Sequence, residues 1–147
     1  MTLWHELMEL HVRSDARFAL SENCDQRFFN YVETARGRDD YRVRVAAEDR
    51  RLLGFAICCV LPNSPVYRTR WIGYVNDIVV THPARGRGVG RRLVDDAVAW
   101  MRDQGAESVE VYVAKANEGA LRFWRSMGGA DYLERLSLDL SRFGRGR

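Results

Sequence analysis

The chain has 147 residues, 46% of them hydrophobic, which suits one globular domain with a single core and excludes a disordered polymer. Its 23 Lys and Arg face 20 Asp and Glu, a net charge of only +3, so a nucleic-acid surface would need its basic residues gathered in one place. They gather at 85–92 and in the last six residues, and the expected organisation is a single domain over 1–141 followed by a frayed basic tail at 142–147. No apolar stretch reaches the ~18 residues of a membrane span, and the N-terminus carries no signal-peptide pattern. Cys24, Cys58 and Cys59, with His5, His11 and His82, have no metal-ligand spacing. A soluble cytoplasmic protein with reduced thiols and no metal is expected.

Apolar residues at helical spacing from Leu3 to Leu10 open the chain with an amphipathic helix. A second helix is predicted from Asp25, as N-cap, to Arg36, with Gly37 as its stop. Strands follow: 41–47 alternates as a half-buried strand does, 48–51 turns, and 52–61 is apolar throughout, as expected of a central strand, with Gly54 marking a bulge. After the breaks at Pro62 and Pro65, residues 70–80 read as another strand, ended by Pro83. Leu93, Val94, Ala97, Val98, Trp100 and Met101 line one face of a helix that stops at Gly105. A strand at 108–113, a short helix opened by Asn117 and broken at Gly128, and an alternating strand at 132–140 complete the order. The fold class this implies is α/β (α+β), with hairpins first and a crossover afterwards.

The segment "ARGRGVGRRL" lies between a strand and a helix, where unpaired backbone N–H groups and the positive end of a helix dipole meet an anion. Gly86, Gly88 and Gly90 let the backbone approach a phosphate, and Arg85, Arg87, Arg91 and Arg92 add charge-assisted donors. The GxGxG spacing satisfies neither the Walker A pattern nor the dinucleotide fingerprint.

The stretch does resemble the acyl-CoA motif of the GCN5-related N-acetyltransferase superfamily, Arg/Gln-x-x-Gly-x-Gly/Ala, as Arg85-x-x-Gly88-x-Gly90. A second motif of that superfamily is matched by Asn117, Ala120, Phe123 and Gly128, and the resemblance covers roughly 52–140. It implies an acyl-CoA N-acyltransferase fold, with a mixed, mostly antiparallel sheet splayed at its central strands and about four flanking helices. It further implies acetyl transfer from acetyl-CoA to an amine, with the pyrophosphate held by amides from Arg87 through Val89 to Arg91. The strand Ile78-Val79-Val80 and the strand from Val109 to Val113 would open to admit pantetheine, and a backbone N–H near Val79 would polarise the thioester carbonyl. Asn117 would hold the cofactor or an amine near it, and Phe123 and Trp124 would lie along the pantetheine arm.

Removing a proton from the amine needs a base. Asp77 lies two residues before the expected carbonyl donor, between apolar neighbours that raise its pKa; Glu110 on the adjacent strand is the second choice. Two departures from the superfamily stand out. The helical pattern begins at Leu3, leaving no first strand, so the sheet starts one strand short or the chain start is truncated; the exposed sheet edge points to a homodimer. The usual general-acid tyrosine is Trp124 here, with Tyr112 and Tyr132 as available substitutes. The expected acceptor is a small-molecule amine rather than a protein, reached by direct transfer in a ternary complex. The competing readings are a catalytically silent acyl-CoA-binding regulator and a basic nucleic-acid-binding module.

Overall fold

In the computed structural model, which describes residues 2–142, strands β1 (Tyr41–Glu48) and β2 (Arg51–Pro62) form a hairpin. Its turn residues Asp49 and Arg50 have φ of 46° and 65°, the left-handed pair whose twist matches that of antiparallel strands. Strand β3 (Trp71–Val80) runs antiparallel to β2, and β4 (Ser108–Val111) runs parallel to β3. The sheet order is β1-β2-β3-β4, so among the described residues β1 pairs only with β2 and forms one edge.

Because strand side chains alternate, β2 serves two layers. Ala56, Cys58 and Val60 pack toward helix α3 (Val89–Asp103), meeting Leu93, Ala97 and Met101. On the opposite face Phe55 meets Leu3 and Leu7 of helix α1 (Thr2–Ser14). Helix α2 (Cys24–Arg36) reaches the same face through Phe28, which contacts the Phe55 ring. The fourth helix, α4 (Glu118–Ser126), follows β4.

The bulge expected at Gly54 is found beside it: the β1–β2 register passes from Ala46↔Gly54 to Ala47↔Leu52, leaving Leu53 over. A Cβ at Gly54 would lie 2.6 Å from the Val79 carbonyl oxygen, so backbone approach demands glycine there.

Three expectations are corrected. Helix α2 starts at Cys24 with Asn23 flanking it in the left-handed region, so Asp25 is not the N-cap. Asp25 sits instead in the first turn, where the helix dipole favours its charge, and accepts from His5 Nε2 at 2.7 Å. Strand β4 ends at Val111 rather than at 113. The strand predicted at 132–140 is absent: residues 129–139 have no regular structure, and Tyr132, Leu133, Leu136, Leu138 and Leu140 are 72% to 83% exposed. Alternation suits a half-buried strand but does not provide the edge that completes its ladder. The segment is instead held by exposed polar contacts, Arg125 to Asp131 at 3.2 Å and Lys115 to Glu134 at 2.6 Å, which are individually weak. Of the expected basic tail, residues 143–147 lie outside the described residues.

Candidate active site

Strands β3 and β4 pair only from Ile72↔Ser108 to Val75↔Val111, after which β3 continues alone to Val80. The divergence coincides with a second bulge. On the β2 side the register passes from Cys58↔Val75 to Ile57↔Asp77, so Asn76 is the extra residue. Such an insertion bends and twists the strand that carries it. It also changes which way side chains point. Val75 packs against Met101 on the α3 side, yet both Asn76 and Asp77 face the α1–α2 side: Cys59 Sγ donates to Asn76 Oδ1 at 3.3 Å, and Asp77 shares the face of Val79, two residues on, which packs against Leu3 and Leu7.

The same ladder fixes the backbone donors. Thr81 N–H donates to Leu53 O at 2.8 Å, and in an antiparallel pair the residues facing a given neighbour recur every second position. Val79 therefore directs its N–H toward β2, and its side chain is buried against Leu3 and Leu7. The donor expected near Val79 falls to its neighbours: Ile78 and Val80 direct their N–H groups away from β2, into the gap beside β4. The Val80 carbonyl accepts from Arg85 Nε at 3.0 Å, in keeping with that orientation.

At the end of the gap lies the glycine loop. Gly86 and Gly88 both have φ of 75°, a conformation costly for other residues. Gly88 caps α3 with its backbone alone, and among the described residues no side chain bonds the helix N-terminus, where unpaired amides of Val89, Gly90 and Arg91 make the kind of place that suits an anion. The arginines are engaged with the protein: Arg87 with Glu48 at 2.8 and 3.0 Å, and Arg91 with the Ser126 carbonyl at 3.5 Å. They brace the loop, while its backbone presents the donors. A Cβ at Gly90 would lie 3.4 Å from the Phe123 ring, so α4 packs close over this helix start.

Asn117 Oδ1 accepts from Ala120 N–H at 3.0 Å and is the N-cap of α4. Phe123 and Trp124 meet edge to face at 5.2 Å, and Trp124 packs against the cluster of Trp100 and Met101. Asp77 is half-buried, and burial pushes its carboxyl up to about 6 against the opposing pull of the Tyr31 hydroxyl. Glu110 is paired across the ladder with Tyr74, whose hydroxyl is pushed upward by burial first and by Glu110 second. Tyr31, Tyr74 and Asn76 were not singled out by the sequence reading; only knowledge of the bulge places them beside Asp77. A depression of about 1040 Å³ lies at the far edge of the sheet between Tyr41, Arg42 and Trp100 and includes none of these groups.

A mixed sheet that parts beside a glycine-capped helix is the acyl-CoA N-acyltransferase fold. Among solved structures, the BH1408 protein from Bacillus halodurans, as a tetramutant, superposes with a TM-score of 0.80 at 23% identity, over 95% of this chain and 90% of that one. The aminoglycoside N-acetyltransferase AAC(6')-Iy in complex with CoA superposes with a TM-score of 0.66 at 19% identity, over 83% and 87%. The model of the acetyltransferase (GNAT) family matches residues 4–128, and the chain belongs to that family. An uncharacterized N-acetyltransferase of Methanocaldococcus jannaschii is 28% identical over 67% of this chain and 43% of its own length. The mycothiol acetyltransferase of Rhodococcus jostii is 36% identical over 56% of this chain and 27% of its own length. The chain thus spans less than half of either relative.

Proposed function

We propose that this protein is an N-acetyltransferase that moves an acetyl group from acetyl-CoA to a primary amine, a small molecule rather than a protein, by direct transfer in a ternary complex. The observation that carries the reading is the end of β3–β4 pairing at Val75↔Val111, which leaves the Ile78 and Val80 donors facing a gap that leads to the uncapped start of α3. Pantetheine lies along Ile78, Val79 and Val80, with Phe123 and Trp124 beside it. The pyrophosphate sits on the amides from Gly86 to Arg91, with Arg85 bracing the turn. Asn117 holds α4 in place and offers its remaining amide donors to the cofactor or amine. Asp77 accepts the proton as the amine nitrogen attacks the thioester carbon; the C–N bond forms, the C–S bond breaks and coenzyme A leaves as a thiolate.

Release of free thiol from acetyl-CoA, followed against a panel of small amines and a panel of peptides, tests this. Turnover with small amines supports the proposal. Binding of acetyl-CoA with no turnover on either panel would favour a silent regulator. Salt-sensitive binding of nucleic acid without a response to acetyl-CoA would favour the basic module, against which the engagement of Arg85, Arg87 and Arg91 by protein groups already argues.

No acid is assigned to position 124. A coenzyme A thiol with an ordinary pKa near ~8.5 can depart as thiolate and take a proton from water. Trp124→Phe is therefore expected to keep kcat within about tenfold of the wild type, since it loses packing and one N–H only. A hundredfold gain in Trp124→Tyr would contradict this and revive the silent-regulator reading. We also propose a homodimer, supported by the unpaired outer edge of β1. Light scattering at micromolar concentrations should give twice the chain mass, and a monomer would reject the dimer.

A further inference from the structure

We propose that Glu6 of α1 is a positioning residue: its carboxylate fixes the path of the chain between the end of β3 and the glycine loop, and so aims the loop amides at the acetyl-CoA pyrophosphate. The inference rests on the placement of the pyrophosphate on those amides. Glu6 Oε1 accepts from the Thr81 hydroxyl at 2.9 Å, and Glu6 Oε2 accepts from the His82 N–H at 3.2 Å. Both donors lie in the short connection between Val80 and Gly86. Two bonds from one planar carboxylate to adjacent residues set a direction as well as a distance.

Every backbone N–H from Thr81 to Arg85 has a partner, as a tightly held connection requires. Thr81 N–H donates to Leu53 O at 2.8 Å, Ala84 N–H to Thr81 O at 2.9 Å and Arg85 N–H to His82 O at 3.2 Å, while Pro83 has none to give. His82 is the exception. Its N–H opens the turn His82–Ala84, and the Thr81 side chain makes no cap there. The carboxylate of a residue 76 positions away takes that place. Helix α1 does not depend on Glu6 to stay docked, because Leu3, Trp4 and Leu7 are buried and Trp4 stacks on Phe28 at 4.7 Å. What the two bonds settle is the direction in which the chain enters Gly86 and Gly88.

The test uses Glu6→Ala, Glu6→Gln and Thr81→Val, with acetyl-CoA affinity measured by calorimetry and the His82 amide followed by hydrogen exchange. In Glu6→Ala the His82 amide should exchange about tenfold faster or more, and the Kd and KM for acetyl-CoA should rise about tenfold, because a loop aimed correctly about a tenth of the time binds that much more weakly. The amine KM should stay within about threefold; a general loosening of α1 would move it too, since Leu3 and Leu7 pack against Val79, on the face that carries Asp77. Glutamine offers its oxygen to the His82 N–H and its amide group to the Thr81 hydroxyl, so Glu6→Gln should bring the acetyl-CoA Kd back to within about threefold of the wild type. Thr81→Val, which loses one of the two bonds, should show part of the rise. If Gly88→Glu loses acetyl-CoA while Glu6→Ala, its His82 amide unprotected, binds it as the wild type does, the role of Glu6 alone is overturned. Failure of glutamine to rescue overturns it as well. Full acetyl-CoA binding by Gly88→Glu overturns the placement of the pyrophosphate, and the role of Glu6 with it.

Discussion

Asp77→Asn is expected to lower kcat/KM for the amine by about 10²-fold or more, leave acetyl-CoA affinity nearly unchanged, and make the fold more stable above pH 6. The first effect is the loss of a proton acceptor at constant shape. The third follows from the carboxyl's position. Burial lifts its pKa from 3.8 to about 6, so between those values the folded chain holds a proton that the unfolded chain releases. Stability therefore falls as pH rises through that window, and above it the penalty of the buried charge is fully present, about 3 kcal/mol for a difference of this size. Asparagine removes the charge at nearly constant shape. Thermal melts should give the variant a higher Tm at pH 8, a smaller advantage at pH 5, and none below pH 4. If only the amine KM rises while kcat is preserved, Asp77 anchors a cationic substrate and is no base.

Gly88→Glu should abolish acetyl-CoA binding. Gly88 holds φ of 75° at the start of α3, where a side chain adds about 1–2 kcal/mol of strain, and a carboxylate beside the helix N-terminus would compete with the phosphate for the same amides. In the wild type, acetyl-CoA at a hundred times its Kd should stabilise the fold by about 2.7 kcal/mol, seen as a rise in Tm. The variant should melt somewhat lower and show no rise. Gly88→Ala carries the strain without the charge, so it should keep part of the ligand-induced rise. A full rise in Gly88→Glu would remove the pyrophosphate from this loop.

These two residues differ in how openly the sequence announces them. Gly88 is legible because its demands are local: a left-handed residue between a strand ending in valines and an amphipathic helix. Asp77 was visible as a candidate, but its surroundings were not. Strict alternation along Tyr74–Val80 places Val75 and Val79 on one face, whereas in the structure Val75 joins Met101 under α3 and Val79 joins Leu3 and Leu7 under α1. Nothing in the seven residues reveals that change, because it arises from the register with β2. The Glu6 contact with Thr81 and His82 spans two elements far apart in sequence and is equally silent. The segment 132–140 errs the other way. Its alternation is genuine, but a strand is a property of a pair, and none of the described strands completes this one.

The extra residue in β3 works as a parity switch. Every side chain downstream of Asn76 belongs to the opposite layer from the one an uninterrupted strand would give it, and the switch is thrown by the number of residues, not by their chemistry. The identity of residue 76 is consequently free to drift with the polar groups around it. Its presence is not. Excising Asn76 would place Asp77 directly after Val75, still on the α1–α2 side by plain alternation, but would remove the bend at which β3 leaves β4. The extra residue thus acts through geometry and not through chemistry: a point substitution leaves the bend in place, whereas a single-codon deletion straightens β3 where it parts from β4.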